Sequence, residues 1–318
     1  MKAAVVTSFD RPPRYEDFAD PVPRDGEVLV EVKAAGLHPI VKALASGSHY
    51  GSTGEAQFVP GVDGVGRLAD GNRVYFGISR SPYGSFAAKT VAQKSMCITL
   101  PDGIDGATAA GLANPGMSSV AALARAKFEP GESILILGAT GAAGLLAIQI
   151  ARRRGAKSVV AAGRNPKPLP ELQALGATDV IPFEQDRDAL VSSYRRALNE
   201  AKIDIVLDYL WGQPAEALLE AVSQKGLSHA ARRIRYVQIG NTAGPTISLA
   251  AATLRSSGVE LLGSGFGSAS MEQILEAVSK LFQEAAKNPF QNAVRTAPLR
   301  DVERMWNSDE KARIVFEP

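Results

Sequence analysis

The run Ser133-Ile134-Leu135-Ile136-Leu137 empties into Gly138-Ala139-Thr140-Gly141-Ala142-Ala143-Gly144 and then into Leu145-Leu146-Ala147-Ile148-Gln149-Ile150-Ala151-Arg152. A short, unbroken aliphatic run reads as a strand buried on both faces, the small residues permit a tight turn, and the segment beyond has apolar residues at helical spacing. A second apolar run, Ser158-Val159-Val160-Ala161-Ala162, follows Gly155, as a βαβ unit requires. At the helix start, unpaired amides and the positive end of the helix dipole meet with no bulky side chain to keep an anion away. The pattern predicts a pyrophosphate site and hence a bound dinucleotide; the competing reading is a strand-to-helix turn that holds nothing.

With 318 residues, 45% of them apolar, the chain has material for two domains rather than one. Lysine and arginine total 35 against 33 acids, and the net charge of +2 gives no field that would single out nucleic acid or an anionic membrane. The one cysteine, Cys97, excludes an intramolecular disulfide framework and any zinc site built from several thiolates, and points to a reducing compartment. The apolar run at residues 1–7 breaks at Ser8-Phe9-Asp10, too soon for a signal peptide or a transmembrane helix, so the expected location is the cytoplasm.

Residues 1 to about 110 read as β-rich, with strands expected at 3–7, 27–34, 64–68, 73–76 and 85–88 between Gly, Pro, Asn and Asp turns. Two alanine-rich helices are expected at 107–112 and 117–126. Strands at 133–137, 158–162, 179–181, 203–207, 235–239 and 260–263 then alternate with helices, the pattern of a doubly wound parallel sheet of Rossmann type. A helix at 271–286 and a strand at 313–316 follow, the strand expected to return to the first lobe. The fold class is α/β: a Rossmann domain at 114–264 beside a β-rich barrel domain built from 1–113 and 265–318.

Several motifs in order carry a family likeness: Gly36-Leu37-His38-Pro39, Pro60-Gly61-Val62-Asp63-Gly64-Val65-Gly66, Gly71-Asn72-Arg73-Val74-Tyr75, Gly84-Ser85-Phe86-Ala87, the glycine loop, Leu175-Gly176-Ala177-Thr178-Asp179 and Asp204-Ile205-Val206-Leu207-Asp208. On these the chain resembles the medium-chain dehydrogenase/reductase superfamily, in its zinc-independent quinone oxidoreductase branch, over nearly its whole length. The resemblance implies that the β-rich domain is GroES-like and catalytic, and that the protein is a homodimer. Where zinc-dependent members carry a ligand cysteine, a Gly-His-Glu and a third ligand, this chain has His38, Gly61-Val62-Asp63 and Leu112-Ala113-Asn114-Pro115. One imidazole and one carboxylate do not make an open three-ligand zinc site, and the four-cysteine structural lobe is missing, so no metal is expected. Cys97 reads as a small core residue.

NAD-preferring Rossmann domains place an acid about twenty positions beyond the loop to hold the ribose 2′-hydroxyl, whereas an arginine accommodates a 2′-phosphate. That position is Arg164, in Gly163-Arg164-Asn165-Pro166-Lys167, and no carboxylate stands between Gly144 and Glu171. A guanidinium pairs with phosphate through charge-assisted bidentate bonds, with Asn165 and the Lys167 charge beside it, so NADPH is the expected cofactor; the alternative is a solvated basic turn. Thr140, Gly141, Ala142, Ala143 and Gly144 are the expected pyrophosphate contacts. Ligands sit beyond the carboxyl ends of such strands, which adds Tyr209, Leu210, Ile239, Gly240 and Asn241, the last also a common turn former. The resemblance adds Ser264, Gly265 and Arg313, the arginine having the alternative of an exposed end-of-strand charge.

Without metal or flavin motif, a nicotinamide delivers hydride to an acceptor already activated by conjugation, such as a quinone or another α,β-unsaturated carbonyl, and the protein supplies orientation, a hydrogen-bond donor and a proton. His38, where the relatives commonly carry asparagine, and Tyr50 are the candidate catalytic donors; each has a structural alternative, a buried hydrogen-bonded imidazole and a ring-packed loop tyrosine. Asn114 is a candidate cofactor contact or a helix N-cap. Phe266 and Tyr83 read as apolar cleft walls or ordinary core. The expected partner is a small carbonyl or quinone substrate, with no nucleic acid and no membrane. Reduction of an enoyl thioester or an aldehyde, and a catalytically inactive NADPH-binding sensor, stand as alternatives.

Overall fold

The computed structural model describes all residues except 53, 165–168, 224–231, 266, 269 and 311. Its elements begin with β1 (Lys2–Val5), β2 (Arg14–Asp17), β3 (Glu27–Gly36), α1 (Pro39–Ala45), β4 (Asp63–Arg67), β5 (Arg73–Gly77), β6 (Lys89–Gln93), β7 (Cys97–Thr99) and α2 (Gly106–Arg125). There follow β8 (Ser133–Leu137), α3 (Ala142–Arg153), β9 (Ser158–Gly163), α4 (Leu169–Leu175), β10 (Asp179–Pro182), α5 (Arg187–Glu200), β11 (Ile205–Asp208), α6 (Gly212–Val222), β12 (Arg233–Gln238), α7 (Ala251–Ser256) and β13 (Gly258–Gly263). The chain closes with α8 (Met271–Lys287), β14 (Val294–Pro298), α9 (Val302–Met305) and β15 (Arg313–Glu317). It divides into two compact units, Met1–Pro115 with Val278–Pro318, and Gly116–Ala277. Among the described residues no helix is long and apolar enough to cross a membrane.

In the second unit a six-stranded sheet runs in the order β10-β9-β8-β11-β12-β13, parallel throughout. This is the Rossmann order, with the direction of winding reversing between β8 and β11, so a crevice opens at the carboxyl ends of those two strands. Every residue of β8 and of β11 is buried, which is why both read as apolar runs without alternation. Leu135, Leu137, Val160 and Val206 of the sheet pack with Leu190 and Tyr194 of α5 and Leu218 and Leu219 of α6.

The first unit is a β domain, antiparallel except where β14 runs parallel to β15: β14-β15-β3-β4-β5-β7 form one sheet, with β6 also on β3 and a β1-β2 hairpin apart. The final strand does come back, Val315 and Phe316 of β15 pairing with Gly36 and Ala35 of β3. The core holds Val30, Val32, Phe76, Phe86 and Phe316, with the Phe86 and Phe316 rings edge to face at 5.2 Å.

Two expectations are corrected. The two short helices are one, α2, with Pro115 inside it. An interior proline costs about 3 kcal/mol, but Leu112, Val120 and Leu123 on this helix are buried at about 1.5–3 kcal/mol each, so packing wins. The strand expected at 85–88 lies at Lys89–Gln93 instead, because the Phe86 carbonyl accepts from Ala4 and the Ala88 amide donates to Lys2, spending these residues on the amino-terminal segment.

Candidate functional site

At the end of β8 the amides of Gly138 and Ala139 both donate to the Ala162 carbonyl, at 2.8 and 3.0 Å, and Gly138 takes a φ of +87° that a side chain would resist. The chain then turns so that the Gly141 amide reaches the Gly138 carbonyl at 3.1 Å, and Gly141, extended at φ −82° and ψ 165°, precedes α3 with no side-chain cap. The opening amides of α3, at Ala142, Ala143 and Gly144, have no intrahelical acceptor and present the positive helix end. Gly144 lets the helix lie directly on the strand end: a Cβ there would collide with the Gly138 carbonyl oxygen and come within 2.5 Å of Ala139 Cα. The geometry suits the pyrophosphate of a dinucleotide, with small residues where an anion must approach.

Thr140 joins this loop to the end of β9. Its hydroxyl donates to the Arg164 carbonyl at 3.1 Å and its side chain covers Gly163. Arg164 is exposed, and among the described residues its guanidinium has no partner. It borders a cavity of 670 Å³ whose other walls include Phe183, Glu184, Arg187, Leu210, Gln213 and Thr242. Arg187 is already engaged, pairing with Glu220 at 2.9 Å, so of the two arginines among the described residues that line the cavity it is Arg164 that is open to a phosphate. Asn165 and Lys167 lie outside the described residues.

The loops after β11 and β12 are tied to the same place. Leu210 rests on Gly138, its Cδ2 3.1 Å from where a Cβ would be, and Gly240 admits the Tyr209 carbonyl, 2.7 Å from the corresponding point. The Thr242 hydroxyl donates to the Tyr209 carbonyl at 3.2 Å, and the Ala243 amide to the Leu210 carbonyl at 2.8 Å. The structure therefore brings together Thr140 to Gly144, Arg164, Leu210 and Gly240 at the carboxyl edge of one sheet, with half-buried Ile239 and exposed Asn241 flanking Gly240. The Tyr209 hydroxyl is committed elsewhere, 2.7 Å from Ser119 Oγ, and burial raises its pKa. Ser264 continues from β13, its amide on the Gln238 carbonyl at 2.9 Å, and exposed Gly265 donates to Ser268 Oγ at 2.7 Å. Phe266 lies outside the described residues.

Sequence reasoning missed the residue that organises these loops. Asp208 ends β11 fully buried; one carboxylate oxygen accepts from the amides of Leu210 and Trp211 at 2.8 and 3.0 Å, and the other accepts from the Tyr236 hydroxyl at 2.7 Å. Burial raises its pKa although all three donors pull it down. The available signal was an acid closing an otherwise aliphatic strand, Ile205-Val206-Leu207-Asp208.

In the first unit His38 is fully buried, folded back over Gly36, where a Cβ would stand 2.6 Å from the imidazole Cε1. His38 Nε2 is 3.4 Å from Asp63 Oδ1, and neither of these atoms nor His38 Nδ1 has a hydrogen bond. The other Asp63 oxygen accepts from Tyr75 at 2.9 Å, and burial, reinforced by the Asp63 charge, holds the Tyr75 hydroxyl well above its ordinary pKa. Arg313 belongs to this group: its guanidinium donates to the Leu37 carbonyl at 2.8 Å and feels the Asp63 charge, which overturns the alternative of an exposed end-of-strand cation. Tyr50 is 78% exposed and stacks on His49 with ring centroids 4.1 Å apart. Asn114 is half-buried in the middle of α2, so it is no N-cap; Asp105 does that work, accepting from the Thr108 amide at 2.8 Å. Half-buried Tyr83 sits edge-on to Phe18 at 6.0 Å. Among the described residues no group of three or more His, Cys, Asp or Glu is placed to hold a metal ion.

Comparison with known proteins gives this geometry its context. Residues 142–281 match the family model described as zinc-binding dehydrogenase. The "Probable NADPH-dependent quinone reductase tdiC" of Emericella nidulans is 27% identical in an alignment covering 100% of both chains. The human protein named quinone oxidoreductase is 30% identical over 224 residues, 66% of each chain. Among solved structures, the quinone oxidoreductase of Thermus thermophilus, also determined as its complex with NADPH, superposes with a TM-score of 0.81 at 25% identity over 100% of both chains. The chain belongs to the medium-chain dehydrogenase/reductase superfamily, in its quinone oxidoreductase-like branch.

Proposed function

We propose that the protein is an NADPH-dependent reductase that transfers hydride to a quinone or another α,β-unsaturated carbonyl without a catalytic metal. The observation that carries this reading is Arg164: a guanidinium without a partner among the described residues, beside Thr140 and the open amides of α3, bordering a 670 Å³ cavity. A guanidinium in that place attracts a 2′-phosphate and gives nothing to a 2′-hydroxyl that an acid would hold better. The two relatives named for quinone reduction, and the relative solved with NADPH, support it.

When bound, the nicotinamide supplies a hydride. The chain's own part is to hold the pyrophosphate on the amides of Ala142, Ala143 and Gly144, to hold the 2′-phosphate on Arg164, and to fix the nicotinamide half through residues 209–210, 239–241, 264–265 and Asn114. A conjugated acceptor then needs only a donor at its oxygen and one proton, for which the proposed groups are exposed Tyr50 and, in a conformation that uncovers its ring, His38. One observation favours a second reading, an NADPH-binding protein without turnover: His38 has no solvent exposure, so its ring cannot meet a substrate in this conformation.

Anaerobic oxidation of NADPH and NADH against a panel of quinones, enones, enoyl thioesters and aldehydes separates these readings. NADPH oxidation with quinones or enones is expected, unchanged by a chelator; tight NADPH binding with no turnover of any acceptor would establish the sensor reading instead. Replacing Arg164 by alanine removes charge-assisted bonds worth about 2 kcal/mol, so the NADPH KM is expected to rise about 30-fold while that for NADH barely moves. An equal effect on both cofactors would refute the 2′-phosphate assignment.

A further inference from the structure

We propose that Asp208 is the positioning residue of the cofactor site: its carboxylate clamps the loop at residues 209–212 in the one backbone conformation that walls the cavity beside Arg164. The inference rests on the cofactor reading above and assigns a residue outside the contact set. The loop it would hold is strained, with Trp211 at φ 57° and ψ −155° and Gly212 at φ 58°, two consecutive residues in the left-handed half of conformational space. A tryptophan does not rest there unaided. The Asp208 carboxylate takes the amides of Leu210 and Trp211 at 2.8 and 3.0 Å, a local turn that competes with the relaxed extended chain. Its backbone carbonyl takes the amides of Ile239 and Gly240 at 2.7 and 3.1 Å, so the same residue also gathers the loop after β12.

What this clamp positions is specific. Leu210 is set on Gly138 of the glycine loop, and Leu210, Gln213 and Pro214 form one wall of the cavity. Gly212 approaches the Ala243 carbonyl so closely that a Cβ would come within 2.6 Å of its oxygen, so the loop that Asp208 holds packs directly on the loop after β12. The groups facing Asp208 are Tyr236 from β12, which donates to it, and Tyr194 from α5, whose buried hydroxyl has no hydrogen bond. Among the described residues no cation offsets the carboxylate, and burying it is unfavourable, as its raised pKa reports. A strained turn and a costly buried charge that together shape a binding wall are the signs of a site organised for a ligand rather than for stability.

The test compares Asp208→Ala and Asp208→Asn with the wild-type chain by three readouts: hydrogen exchange of peptides spanning 209–212 without cofactor, the NADPH Kd, and the split of KM from kcat. If loss of the clamp leaves the competent loop about one-tenth populated, Kd rises about 10-fold by that fraction alone. In Asp208→Ala, exchange in the loop and Kd are expected to increase together by about 10-fold, with kcat falling far less than kcat/KM for NADPH. Asp208→Asn keeps an acceptor oxygen but leaves a buried donor, on the new side-chain amide or on Tyr236, badly paired. A smaller change in the same direction is therefore expected, and this variant serves if the alanine variant does not fold. A folded variant with faster loop exchange but wild-type Kd, or with lowered Tm and neither change, overturns the proposal. A wild-type chain that fails to bind NADPH overturns the cofactor reading itself, a different result from a variant that binds as tightly as wild type.

Discussion

Replacing Gly144 by alanine is expected to destabilise the protein by about 3 kcal/mol and to weaken NADPH binding by about 100-fold. Two effects oppose each other here, and their sizes decide the sign. Gly144 lies within α3 in ordinary helical conformation, so alanine would improve helix propensity by about 1 kcal/mol. Against this, the new Cβ would overlap the Gly138 carbonyl and sit 2.5 Å from Ala139 Cα and 2.8 Å from Ala139 C. These are backbone atoms of a loop already fixed by two bonds to the Ala162 carbonyl, so no side chain can swing away. Relief must come from moving the first turn of α3, and a shift of about 1 Å takes its open amides out of hydrogen-bond reach of a pyrophosphate. Gly141→Ala is the control: its Cβ meets the Gly138 oxygen at an ordinary 3.5 Å and its φ of −82° suits any residue, so only the N-cap preference for glycine over alanine is lost, about 1 kcal/mol or less. Urea unfolding and fluorescence titration with NADPH check both variants. A Gly144→Ala protein as stable and as tight-binding as wild type would show that the helix does not depend on this contact.

The glycine-loop segment was legible because every level of its physics agrees. A central parallel strand must be aliphatic on both faces, and β8 has the bounds 133–137 read from the residues alone. The edge of the β domain was not: β2, Arg14-Tyr15-Glu16-Asp17, has no apolar alternation because no residue in it is buried. At α2 the local signal pointed the wrong way, since Pro115 marks a break that burial of its neighbours overrides. The site divides in the same manner. Thr140, Gly144 and Arg164 follow from spacing within one βαβ unit. Asp208 does not, because its partner Tyr236 is 28 residues away and its amide donors matter only once Trp211 is known to be strained. Arg313 is the extreme case, meeting the carbonyl of Leu37 across a separation of 276 residues that no local pattern encodes.

The same long-range logic yields the second large expected effect, at Arg235. This arginine of β12 is nearly buried, donates to the Ala126 and Lys127 carbonyls at 2.8 and 3.1 Å, and pairs with Glu132. Those carbonyls end the chain leaving α2, where Lys127 is held at φ 52°, so one guanidinium joins that turn, the segment before β8 and a strand whose far end carries Gly240 and Asn241. Arg235→Met matches the aliphatic stem but leaves two carbonyls without a donor and Glu132 without its countercharge. Glu132 is only partly buried, so the larger loss lies in the two carbonyls left without a donor, about 1–3 kcal/mol each, against a total stability on the order of 5–15 kcal/mol for a domain. Arg235→Lys retains the charge but cannot present the planar fork that serves three acceptors together, so about half that loss is expected. Cofactor affinity measured at a temperature where the variants remain folded should fall by no more than a few-fold, since the strand end is re-formed whenever β12 is paired with β11 and β13. Denaturant midpoints that rank wild type above Arg235→Lys above Arg235→Met support this account. A methionine variant as stable as wild type would mean that the bonds of the guanidinium are replaceable by packing alone, and that β12 is anchored by its sheet neighbours without the arginine.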